Sequence, residues 1–124
     1  MNMARSYKPS APFNVAMKIL IPVSSEYVSG TLKKVYPDPE DVSDDLMFYG
    51  SFKTFGGTEN IQNNMYTLIN TAVIETWYRP DIKANCRIYI CETAEIYELA
   101  GDPEDISMRH QYLKFKVRKV GGKA

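Results

Sequence analysis

Between residues 72 and 120 the chain is a succession of short alternating segments cut by turn signals, and no other feature narrows its fold so far. Residues 72–78 are rich in β-branched and aromatic side chains, which suit a pleated surface. Pro80 and Asp81 break that run. Residues 86–91 and 95–99 follow as two further strands, and the link across Glu92, Thr93 and Ala94 predicts a short hairpin. Gly101, Asp102 and Pro103 make a second break. Residues 110–120 close the series, with Leu113, Phe115 and Val117 on the inward side and Lys114, Lys116 and Arg118 on the other. No stretch has a convincing helical period. Many short strands separated by turns predict a mainly β fold, a small antiparallel β-barrel or sandwich with long loops.

The first half reads less regularly. Residues 15–23 predict a strand with Val15, Met17, Ile19 and Ile21 on one face and Lys18 on the other, and Pro22 marks its end or an edge. Residues 24–30 read as a turn region and residues 31–36 as a second strand, so residues 13–36 predict a hairpin. Residues 37–45 form a loop with two prolines and five acids, Asp38, Glu40, Asp41, Asp44 and Asp45. Residues 46–54 predict a third strand with Leu46, Phe48 and Phe52 on one face, weakened at Gly50, a candidate bulge. Residues 55–64 read as a second long loop containing Phe55, Gly56, Gly57, Thr58, Glu59, Asn60, Asn63 and Asn64; glycine and asparagine tolerate positive φ and let it turn sharply or reshape. Residues 65–69 fit a short strand or a helical turn equally. The polar, proline-bearing residues 1–12 are expected to be a flexible arm and residues 121–124 a disordered tail, leaving 13–120 as the folded domain.

A length of 124 residues fits one domain. Fifteen basic and fifteen acidic residues cancel, which argues against a dedicated nucleic-acid binder. No apolar run approaches a membrane span, and the first twelve residues lack the apolar centre of a signal peptide, so no membrane partner and a cytoplasmic origin are expected. Cys86 and Cys91 are five apart on one expected strand, which turns their thiols to opposite faces and disfavours a disulfide or a shared metal. His110 is the only histidine and has no clustering partners in the sequence. Gly56-Gly57 lacks the Lys-Ser/Thr of a phosphate-binding loop, and Ser24-Ser25 lacks a nucleophile-elbow context. Catalytic residues, metal ligands and cofactors are accordingly expected to be none. Lys114, Lys116 and Arg118 form a basic face that reads as a contact for DNA phosphates or for a neighbour's acidic surface, or as an ordinary solvated strand face. A chain with an acidic loop and a separate basic strand suits head-to-tail rings, in which one subunit's acids meet the next subunit's cations.

The order and spacing of short motifs over residues 72–120 resemble the head–tail joining, or head closure, proteins of long-tailed bacteriophages. The residues that carry the resemblance are Trp77-Tyr78-Arg79-Pro80-Asp81-Ile82, then Arg87-Ile88-Tyr89, then Tyr97-Glu98-Leu99, then the acidic turn at Gly101-Asp102-Pro103-Glu104 and the final Leu113-Lys114-Phe115-Lys116-Val117. The resemblance implies a β-barrel assembled as a homo-oligomeric ring of six or twelve copies at the head–tail interface of the virion. Such a ring docks on the phage portal or adaptor, receives the tail terminator or tail tube, and surrounds the genomic double-stranded DNA. It also implies a long channel or gating loop, by position residues 55–65, with the acidic residues 38–45 as rival.

Two neighbouring phage parts, an adaptor or a tail terminator subunit, share size and β content, but both are expected to carry clear helices. A different class is an OB-like barrel binding single-stranded nucleic acid. Aromatic residues beside lysines, as in Tyr112-Leu113-Lys114-Phe115-Lys116, support it, and zero net charge opposes it.

Overall fold

The computed structural model describes residues 8–9, 11–54, 58–62, 65–69 and 71–120. Eleven strands are assigned there: β1 (Val15–Leu20), β2 (Ser24–Val28), β3 (Thr31–Val35), β4 (Met47–Thr54), β5 (Thr58–Gln62), β6 (Met65–Ile69), β7 (Thr71–Trp77), β8 (Arg87–Ile90), β9 (Glu95–Leu99), β10 (Glu104–Asp105) and β11 (Tyr112–Lys119). The principal sheet runs β10-β11-β7-β4-β1-β8-β9, and a further β11–β9 pairing joins its ends. Six strands therefore close into an antiparallel β-barrel, with β10 as an extra strand on β11. Closure removes the unpaired edges that an open sheet would leave.

Alternation explains the interior. Ala72, Ile74 and Thr76 of β7, Leu113, Phe115 and Val117 of β11, and Ile88 and Ile90 of β8 are all buried and meet Met17, Ile19 and Phe48 in one core. Thr76 is a polar exception, and its hydroxyl donates to the Tyr49 carbonyl at 2.7 Å, which removes the cost of burying it. Gly50, the candidate bulge, is where β4 changes partners: it is the last residue paired with β1 and the first paired with β7, and neither register skips a residue. Its role is close approach: a Cβ there would lie 2.6 Å from the Glu75 carbonyl oxygen and 3.1 Å from Met17 Cε. The bare backbone leaves room for Met17 at the barrel centre. The first strand stops at Leu20, short of the expected residue 23, yet Val15, Met17, Ile19 and Ile21 all meet the core as expected; Leu20 is buried outside the main cluster.

Two expectations for the first half are overturned. Residues 13–36 are not one hairpin: β1 pairs with β4 and β8 in the barrel, and the hairpin is β2–β3, a separate two-stranded sheet. The turn read over 24–30 is confined to Ser29 and Gly30, whose φ of 53° and 81° give the two left-handed positions that suit a two-residue hairpin loop. The loop read over 55–64 contains a strand. Thr58, Glu59 and Asn60 lie in β5, which pairs antiparallel with β6 from Thr58↔Ile69 to Gln62↔Met65. This also decides residues 65–69 as a strand. Phe55, Gly56, Gly57, Asn63 and Asn64 lie outside the described residues, as do the tail at 121–124 and most of the arm.

Candidate assembly surfaces

The acidic segment is a built structure. Two short 3-10 turns, Pro39–Asp41 and Asp44–Leu46, divide it, and the Asp38 carboxylate caps the first by accepting from the Glu40 amide at 3.0 Å. Buried Val42 pins the middle. Lys18 Nζ donates to the Pro39 carbonyl at 3.0 Å. Arg79 holds the far end: Nη2 donates to the Asp45 carbonyl at 2.7 Å and Nη1 to the Met47 carbonyl at 3.3 Å. The same guanidinium grips Asp81 through Nε at 3.1 Å and Nη2 at 2.9 Å, and lies 5.9 Å from the Phe48 ring centroid. The hydrogen bonds from Arg79 hold the Asp81 carboxyl below the usual carboxylate range, and those to Asp81 raise Arg79 further. Both cations thus satisfy backbone carbonyls here. Asp38, Glu40, Asp41, Asp44 and Asp45 remain exposed, and none of them forms an ion pair among the described residues.

The expected basic face is a mixed one. Lys114, Lys116 and Arg118 do share the outer side of β11 and are exposed. Arg118 Nε, however, pairs with Glu98 at 2.8 Å, and Lys114 lies in register between Glu104 of β10 and Glu75 of β7. Lys116 flanks Val73 from one side and Lys53 from the other. The acids that dilute the face come from three other strands.

The motif residues act largely as braces. Ile82 is buried. Arg87 lies 4.3 Å from the Tyr36 ring centroid, and the Tyr36 hydroxyl donates to the Asn85 carbonyl at 2.8 Å. Tyr97 is buried against Phe52, edge to face at 5.1 Å, and its hydroxyl donates to Glu95 at 3.1 Å. Glu95 also accepts from Lys119 at 3.0 Å, so a polar cluster closes off this side of the core. Burial, aided by Glu95, pushes the Tyr97 phenol up to about 12. Tyr78 stacks on His110 at 4.6 Å, and His110 is exposed and bound to the Asp105 carboxylate. The two cysteines are free and stand at either end of β8; Cys86 is buried, which raises its thiol pKa. Among the described residues no group of three or more His, Cys, Asp or Glu side chains is arranged to hold a metal, and no helix is long and apolar enough to cross a membrane.

Two apolar surfaces escaped the sequence reading. Trp77 is 56% exposed, stacks on Tyr112 at 5.1 Å and takes Phe13 edge-on at 5.5 Å. These rings line a cleft of about 350 Å³ with Pro9 and Ala11, so the end of the arm lies on β7 and β11. The other surface is the β2–β3 hairpin. Val23, Tyr27 and Leu32 are 67, 75 and 56% exposed, and every β2 residue is exposed. The Ser29-Gly30 turn was the available signal, but its flanks, Ser24-Ser25-Glu26 and Leu32-Lys33-Lys34, lack a clean apolar alternation. No family model matches this chain, and no curated protein is significantly similar to it.

Proposed function

We propose that this protein is a structural subunit of a ring at the head–tail interface of a long-tailed bacteriophage, closing the DNA-filled capsid and joining it to the tail. The observation that carries the reading is the division of the molecule into a sealed barrel and exposed contact elements. The hairpin with Tyr27 and Leu32, the acidic double turn and the Trp77 cleft all lie outside the core. Exposed apolar side chains rimmed by charge mark protein–protein contact. The motif order over residues 72–120 then supplies the system. The barrel scaffold holds these elements in place; the ring meets a portal or adaptor on one side and a tail terminator or tail tube on the other, and genomic DNA passes through it. Acidic side chains facing such a channel repel DNA phosphates and keep the duplex from sticking. The protein works by binding and not by catalysis.

The test is negative-stain microscopy of capsids from a phage lacking the protein, with the purified chain added back. Heads that leak DNA and then retain it and accept tails on addition support the reading. DNA-retaining heads with intact tails in its absence exclude it.

A further inference from the structure

Each strand of the β2–β3 hairpin has one neighbour where barrel strands have two. A lone two-stranded sheet is marginal in water, and this one leaves large apolar groups uncovered. Register puts Tyr27 directly opposite Leu32, and alternation adds Lys34 to the same face. Lys33 is on the other face, opposite Glu26. The Tyr27 face therefore offers two apolar groups and a cation.

A matching surface exists on the same chain. Ile21, Pro22, Val42 and Leu46 line a groove of about 280 Å³ with Asp41 in its wall. The remaining exposed acids of the double turn belong to the same segment, residues 38–45. Val23 and Pro37, at the base of the hairpin, also line this groove. Tyr27 is four residues along β2 from Val23, about 13 Å at the rise of a strand. The Tyr27 face is thus carried away from its own groove, and its exposure agrees with that.

We infer that the β2–β3 hairpin of one copy docks into the acid-rimmed groove of the next, Tyr27 and Leu32 over the apolar floor and Lys34 against Asp41. The occupant is a second copy because both halves of the contact stand on one chain and complement each other in apolarity and charge. The contact is heterologous, the kind that closes into rings. It assigns the acids a different partner from the β11 face, where Lys114 and Arg118 already stand against acids of their own sheet. This contact deepens the ring reading, and rests on it only for the closure of the ring.

Sedimentation of the full-length chain over a range of concentrations tests it. Lys34→Glu and Asp41→Lys each weaken self-association at least about tenfold, since a like-charge juxtaposition costs more than that. The double variant restores it, while Lys116→Glu on the β11 face leaves it unchanged. All three positions are exposed, and circular dichroism confirms that each variant is folded. Tyr27→Ser weakens association without altering charge. A chain monomeric up to about 1 mM overturns the inference, as does a double variant no better than either single one. Capsid closure separates the two ideas: wild-type closure by the Lys34→Glu chain removes this contact and keeps the ring reading. Charge-swap rescue in solution with no effect of the chain on capsids does the reverse.

Discussion

Val117 and Leu32 are both aliphatic residues in short antiparallel strands with lysines at hand, yet Val117 is fully buried and Leu32 is 56% exposed. The difference comes from partners. β11 is held between β7 and β9, with β10 alongside, and its inward side shares one closed core with Ile74 of β7 and Ile88 of β8. β3 has only β2. Alternation alone thus gives a side chain a face but not a covering layer. The barrel supplies its own layer by closing, and the hairpin must obtain one from elsewhere.

Breaking this contrast is straightforward, and the largest effect lies in the core. Ile74→Ala removes a completely buried side chain and costs about 2–5 kcal/mol in urea unfolding, whereas Leu32→Ala changes the stability of the dilute chain by no more than about 0.5 kcal/mol. Arg79→Ala comes next, at about 1.5–3 kcal/mol, because it frees the Asp45 and Met47 carbonyls and Asp81 together. It should also expose residues 38–45 to a protease specific for acidic residues, which leaves the wild-type turns intact. Gly50→Ala costs about 1–3 kcal/mol by forcing β4 away from β7, read as a lowered thermal midpoint.

A pH measurement sharpens the comparison further. The fold favours the neutral Tyr97 phenol, whose pKa stands at about 12, above the unfolded value. Its contribution is fully present below the unfolded tyrosine pKa, near 10, and is lost as pH rises through about 12. Tyr97→Phe should flatten the alkaline fall of stability and remove a late-titrating phenol from the tyrosinate absorbance of the native protein. The depressed Asp81 carboxyl acts in the opposite direction, losing its contribution as pH falls through its folded value.

The second half was legible because its strands alternate cleanly between turn signals, even where their partners are distant, as β8 is from β1 and β7 from β11. The β8–β9 hairpin and the inward row Leu113, Phe115, Val117 appear where expected. In the first half, the first strand was given the wrong partner because its true partners are distant. Nothing local says that Val15–Leu20 binds β4 and β8 in place of the segment that follows it. β5 was hidden by glycines and asparagines that read as a loop, although its register with β6 leaves only Asn63 and Asn64 between them, a length that suits a hairpin. Of the candidate surfaces, the acids were legible as a charge run, but their anchors were not: Lys18 and Arg79 reach them from 21 and 34 residues away. The basic face was legible as an alternation, while its counter-charges on β9, β10 and β7 required the register.

Hydrogen exchange on the dilute chain tests most directly the central claim, that the barrel is self-sufficient and the hairpin waits for a partner. Amides of β1, β4, β7 and β11 are expected to exchange only on global unfolding. Those of Ser24–Val28 and Thr31–Val35 exchange orders of magnitude faster and slow at concentrations where copies associate. Hairpin amides as protected as the barrel in the dilute monomer would contradict it.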